Sequence, residues 1–137
     1  MSLHLAEAAE RLVGTRYRLH GRDAATGLDC IGLVLAALGM TGRTAVDVRG
    51  YGLRNNGIAC WKDSFAANAF VPAEGALSAG DLILCRPGPA QHHLAIVSRV
   101  ATHFIHADAG LRRVVRAPLP LVWPIDGRWR LANKQED

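Results

Sequence analysis

Long hydrophobic runs, cysteine and clustered charge are all scarce in this 137-residue chain, and each scarcity excludes something. The longest apolar stretch, 31–40, contains two glycines and is about half the roughly 20 residues that a membrane-spanning helix needs. No membrane span is therefore expected. The first ten residues carry Glu7 and Glu10, where a secretory leader has a basic start and an apolar core. The expectation is synthesis in the cytoplasm without a signal peptide, with delivery by another carrier. Three cysteines, Cys30, Cys60 and Cys85, cannot all pair within one chain, so a disulfide framework is not expected. With no Cys-x-x-Cys, the common structural zinc site lacks its ligands. Solenoid repeats and low-complexity segments are absent. Lys and Arg exceed Asp and Glu by 16 to 12. The densest basic cluster, Arg112, Arg113 and Arg116, has no interleaved aromatics of the kind that bind nucleic acid. Solvated surface charge is the plainer reading, and no nucleic-acid partner is expected.

What is present is a globular composition, 50% hydrophobic, in a length that suits one domain over 1–137 with a substantial core. Residues 3–13 have a rough apolar face and end at Gly14, which predicts a helix. Asp29 stands as an N-cap before a second helix over 30–40, apolar nearly all round and so expected to be buried. The polar connection 41–57 is long enough to form a functional wall, and 58–70 reads as a short third helix. Strands are expected at 81–85, 93–100, 102–106 and 113–116, with one or two more from 119–125 and 128–131. Residues 133–137 read as a frayed tail. Helices first and strands second is the α+β pattern, with N-terminal helices on a C-terminal antiparallel sheet.

Cys30 is the informative residue. A helix start offers unpaired N–H groups and a positive dipole end. Both lower a thiol's pKa, and the thiolate is the nucleophile. The alternative is that Cys30 is a small hydrophobe in the core, where free cysteines usually sit. A nucleophile needs a base. His93 opens one predicted strand and His106 closes the next. Paired as a hairpin, one ring would approach Cys30 and the other would orient the first. Taken singly, each histidine reads equally as surface decoration or a satisfied core group. By strand alternation His92 should face away from His93, and His103 away from His106. Cys85, in the middle of an apolar strand, and Cys60, beside Trp61, read as structural. Cys30, His93 and His106 lack a fourth ligand for a metal, so neither a metal nor another cofactor is expected.

Four stretches carry a family resemblance. They are Leu12-Val-Gly-Thr-Arg-Tyr17, Gly27-Leu-Asp-Cys-Ile-Gly-Leu-Val34, Leu77-Ser-Ala-Gly-Asp-Leu-Ile-Leu84, and the pair His93-Leu-Ala-Ile-Val97 and Phe104-Ile-His-Ala107. In this order and spacing, over about 10–116, the chain resembles the NlpC family of bacterial cell-wall cysteine peptidases, whose fold is papain-like. The resemblance implies Cys30 as nucleophile, His93 as general base, His106 as the residue that orients it, and Tyr17 as an oxyanion donor beside the Cys30 N–H. It implies Asp29 as a contributor to site structure or to binding a substrate amine. The implied reaction is amide hydrolysis through a thioester, at the D-glutamyl–diaminopimelate bond of peptidoglycan stem peptides.

Ile31 replaces the family's Ser after the nucleophile, Ala79 replaces a Pro, and His20-Gly21 stands near its paired glycines. Short versions with Ile or Leu after the cysteine resemble the tail-associated peptidases of phages and gene transfer particles. By that analogy, tail proteins are expected partners and the periplasm or cell wall the expected site of action. Two other readings share the fold. One is a structural tail component that does not use its thiol; the other is a cell-wall amidase toxin with the same chemistry and a different delivery.

Overall fold

The computed structural model describes residues 4–47, 58–89 and 91–132. Three helices, α1 (Leu5–Arg11), α2 (Cys30–Met40) and α3 (Ile58–Ala67), precede most of the strands. A two-stranded ribbon, β1 (Arg22–Asp23) and β2 (Gly27–Leu28), lies between α1 and α2. The main sheet has six strands: β3 (Phe70–Pro72), β4 (Leu82–Cys85), β5 (His93–Val97), β6 (His103–Asp108), β7 (Arg113–Pro118) and β8 (Ile125–Leu131). Their order across the sheet is β3-β8-β4-β5-β6-β7, and every pair is antiparallel. The molecule is α+β. Among the described residues no helix is long and apolar enough to cross a membrane.

Strand alternation divides the core into two clusters. On one face, Leu94, Ile96, Ile105 and Val114 share a buried cluster with Leu33, Val34, Ala37 and Leu38 of α2. On the other, Ile83, Cys85, Ala95, Val97 and Phe104 are covered by Leu119, Leu121 and Trp123 of the 119–124 segment. Because β4 and β5 are covered on both faces, they read as nearly continuous apolar runs rather than as alternating ones. Cys85 belongs to this core.

The start of α2 is fixed by one carboxylate. Asp29 is wholly buried. Its Oδ1 accepts from the Gly32 N–H at 2.8 Å, capping the helix, and from Arg22 Nη1 at 3.1 Å. Its Oδ2 accepts from the His20 N–H at 2.8 Å. Arg22 in turn donates through Nε to Asp47 at 3.0 Å. Gly32 completes the join. A Cβ there would lie 2.0 Å from the Gly21 carbonyl oxygen, so the loop backbone can pack against the first turn only where no side chain stands.

The structure differs from the sequence-based expectation in several places. The segment between the first two helices, where no element was expected, contains the β1–β2 ribbon. Phe70 leaves the third helix and starts β3, because it pairs with Leu131 and packs on Phe65. Residues 119–124 form the cover over the second cluster, and of the one or two last strands expected β8 is the one formed. Most of the 41–57 connection and the 133–137 tail lie outside the described residues.

Replacing Asp29 by Ala removes a cap and leaves the His20 N–H and Arg22 without this acceptor. We expect a loss of about 2–4 kcal/mol in urea unfolding, from the usual cost of a cap plus a buried charge-assisted bond. A loss below about 0.5 kcal/mol, the range of an ordinary surface substitution, would contradict this account of the helix start.

Candidate active site

Cys30 is the first residue of α2, held in place by its neighbour Asp29. Tyr17 arrives by a different route. The segment from Gly14 to Tyr17 lies along the outer edge of β7, with Gly14 N–H donating to the Val114 carbonyl at 2.8 Å and Tyr17 N–H to Arg112 at 2.9 Å. It also touches the ribbon, where Leu28 N–H donates to the Arg16 carbonyl at 2.9 Å. The segment thus covers an exposed sheet edge and carries Tyr17 to the helix start. His93 begins β5 and His106 lies in β6. Their strands pair with Ile96 opposite Ile105 and Val97 opposite Phe104. Carried on, that register sets small Ala95 across from His106 and places the His93 ring on the diagonal, within reach of the His106 ring.

Tyr17, Cys30, His93 and His106 all line one cleft of about 210 Å³. His93 Nε2 and His106 Nδ1 are 2.9 Å apart, so they share one hydrogen. The rings meet edge to face, centroids 5.0 Å apart at 86°. Trp123 packs across both, 5.6 Å from each ring, and limits water at the pair. With His93 Nε2 committed to His106, Nδ1 is the nitrogen left to accept a proton. For Nδ1 to accept a proton, the shared hydrogen must sit on His93 Nε2, with His106 Nδ1 as its acceptor.

The protonation states run against one expectation. Burial pushes the Cys30 thiol up to about 12 and the charge of Asp29 adds to this, while the N–H groups of Leu94 and Ile31 pull it down. The helix start does act on the thiol, but burial outweighs it. Burial pushes His93 down to about 3, and the proximity of His106 works the same way. His106 is lowered too, again by burial. The resting pair is a neutral thiol and a neutral imidazole. Tyr17 is raised to about 12, mainly by burial, so its hydroxyl keeps its proton and remains a donor.

Among the described residues, no hydrogen bond joins the Cys30 sulfur to His93. The sulfur takes the Leu94 N–H, next to His93 in the chain, while the His93 ring turns to His106. Asp29 does not line the cleft: its carboxylate faces inward to His20, Gly32 and Arg22. His92 also borders the cleft, but its ring packs by Trp61 and lies 3.6 Å from Asp126, whereas the His93 ring packs on His106 and Trp123. His103 does face away from this site. Cys85 pairs with His93 across the strands but does not reach the cleft. The side chain of Cys60 lies outside the described residues. Among these residues no group of three or more His, Cys, Asp and Glu is placed to hold a metal. Trp123, Gln91 and Asp108 also line the cleft. Trp123 reaches it through the 119–124 cover and had no periodic signal to announce it. Asp108 was legible, being two residues from His106 on one strand face.

The fold and this cleft define an α+β domain with a buried thiol beside an imidazole pair. Three solved structures align with nearly all of the chain. A protein similar to lipoprotein, of the NLP/P60 family from Staphylococcus aureus, aligns at 20% identity and a TM-score of 0.64, over 97% of this chain and 44% of that one. The NlpC/p60 domain of the peptidoglycan hydrolase SagA aligns at 23% and 0.60, over 93% and 96%. The peptidoglycan hydrolase RipB from Mycobacterium tuberculosis aligns at 22% and 0.57, over 92% and 61%. The chain thus spans less than half of the first and under two thirds of the third. No protein-family model and no curated protein matches the sequence. The chain has the NlpC/P60 fold.

The depressed imidazoles have a consequence for stability. Below its ordinary value of 6.5 the unfolded chain's His93 takes up a proton that the folded form refuses until about pH 3. The unfolded state therefore binds more protons across that window, and stability falls as pH is lowered through it. In urea titrations at pH 7.5 and about pH 4.5, wild type should lose more stability than His93→Gln. Equal losses in the two proteins would contradict the buried neutral imidazole.

Proposed function

We propose that this chain, as a single domain over 1–137, is a papain-like cysteine peptidase of the NlpC/P60 family, its helices packed on the sheet. Its proposed substrate is the peptidoglycan stem peptide, cut between D-glutamate and diaminopimelate. The observation that carries this reading is the meeting of Cys30, His93, His106 and Tyr17 in one cleft, with His93 tied through Nε2 to His106. The roles of SagA and RipB as peptidoglycan hydrolases support it. Ile31 after the nucleophile supports the tail-associated subtype, with delivery to the wall by a phage-like tail.

The neutral resting pair makes the first step a coupled one. As substrate fills the cleft, His93 Nδ1 and the sulfur approach, since catalytic contacts often tighten only in the complex. The thiol proton passes to His93 Nδ1 while the sulfur attacks the carbonyl carbon. The oxyanion is held by the Tyr17 hydroxyl and by the Cys30 N–H, which at the first helical position has no partner within its own helix. His106 accepts the His93 Nε2–H and holds the imidazolium in orientation. Collapse breaks the carbon–nitrogen bond, and His93 returns its proton to the departing amine. Water then attacks the thioester, losing a proton to His93, and the thiol is restored as the acid leaves.

Three substitutions test the assignment on a synthetic stem peptide. Cys30→Ala abolishes hydrolysis and keeps cooperative unfolding. His106→Ala costs less than His93→Ala, since an orienting residue does not itself move the proton. Tyr17→Phe lowers turnover about 10- to 1,000-fold, the range for losing one oxyanion donor. Activity retained in Cys30→Ala, or unchanged turnover in Tyr17→Phe, would remove that residue from the site.

A further inference from the structure

Four arginines meet where the Gly14–Tyr17 segment lies along β7. Arg16, Arg18, Arg112 and Arg113 are all exposed, and none of them makes an ion pair among the described residues. The third member of the cluster seen in the sequence, Arg116, is instead paired with Glu10 at 2.7 Å. Val114 N–H donates to the Thr15 carbonyl at 2.8 Å and Tyr17 N–H to Arg112 at 2.9 Å. Between these two bonds Arg16 and Arg113 stand directly opposite each other, with no bond of their own. In such a pair the Cα atoms are about 4.5 Å apart and the side chains are at their closest. Like charges placed there are destabilising. Asp108 lies across β6 from Arg113, but its Oδ1 is turned to the Gly110 and Leu111 N–H groups. Arg18 continues the crossing, its N–H donating to the Leu28 carbonyl at 3.2 Å. By alternation it shares a side with Arg16, while Tyr17 between them lines the cleft. Arg112 adds a second local cost. Its φ is 64°, in the left-handed region where glycine or asparagine is the usual occupant.

We propose that this crossing is a binding surface for a flexible phosphate polyanion, with one phosphate seated between Arg16 and Arg113 and the chain running on past Arg18. Two local rules are broken at one place, and each break puts a guanidinium on the same exposed surface. Breaks of that kind concentrate where a protein binds something. A phosphate between Arg16 and Arg113 turns their repulsion into two charge-assisted contacts. Its tetrahedral oxygens reach two guanidinium forks at once, whereas a planar carboxylate presents one edge. The aromatic ring between Arg16 and Arg18 in the chain belongs to the cleft, so the surface offers charge without a platform on which bases stack.

The test is fluorescence anisotropy with end-labelled inorganic polyphosphate and the full chain, in about 50 to 200 mM salt, where such binding is most sensitive to ions. Wild type binds, and Arg16→Gln/Arg113→Gln binds about 10- to 100-fold more weakly, the range for one hydrogen bond to a charged group. The slope of log affinity against log salt becomes shallower by about 1.4, from two lost contacts at about 0.7 each. Arg11→Gln/Arg99→Gln removes the same charge elsewhere and stays within about threefold of wild type. Arg16→Glu sets an opposite charge against Arg113; it melts at a higher temperature than wild type and loses the polyphosphate. No binding by wild type overturns the proposal, as does equal weakening in the two double variants, which would follow net charge alone. Tighter binding of oligothymidylate of equal charge would assign the surface to nucleic acid, and tighter binding of polyglutamate to a carboxylate partner; either overturns it. Arg16→Glu melting lower than wild type overturns the opposition of Arg16 and Arg113 on which the proposal stands.

Discussion

The geometry of the cleft depends on the Asp29 carboxylate. It is buried without solvent and accepts from two backbone N–H groups and the Arg22 guanidinium. Such a charge is costly to bury unless its oxygens are satisfied. Once they are, the loop at 20–22, the ribbon and the first turn of α2 become one body. The Gly21–Gly32 backbone contact allows the close approach that this requires. Cys30 inherits its position from this join, and Tyr17 from the β7 edge along which the Gly14–Tyr17 segment lies. The acid beside Cys30 therefore acts on the cleft through placement, and through its charge on the thiol.

Burial is the second constraint, and it sets the protonation of the site. The sheet puts His93 and His106 beside Phe104 and under Trp123, in surroundings that disfavour charge. Both imidazoles are neutral at rest and the thiol keeps its proton. A preformed thiolate–imidazolium pair would have to carry two charges in a poorly solvated cleft. In the proposed reaction, the neutral arrangement defers that charge separation to the moment when a substrate carbonyl is present and the Tyr17 hydroxyl has an oxyanion to stabilise.

Much of this was legible in the chain before the fold was known. Asp29 as a cap and α2 over Cys30–Met40 follow from local chemistry, an oxygen acceptor ahead of an apolar run. The strands holding His93 and His106 follow from β-branched alternation. Cys30 and His93 were legible because they begin α2 and β5, whereas His106, expected to close its strand, lies inside β6, which runs on to Asp108. What was not legible depended on long-range contact. Phe70 looks helical until Leu131 pairs with it. Nothing local in 119–124 says that it folds over the sheet and brings Trp123 to the histidines. The thiol pKa was read in the wrong direction because a helix start is a local feature, whereas the burial that outweighs it is produced by the whole core.

The central claim is that Cys30 carries the acyl group during hydrolysis. Rapid acid quenching of the protein during turnover of a stem peptide, followed by mass mapping, tests it most directly. The account predicts a thioester adduct with the mass of the acyl half of the substrate, located on the segment containing Cys30 and absent in Cys30→Ala. Turnover without any adduct on Cys30, or an adduct on Cys60 or Cys85, would contradict it.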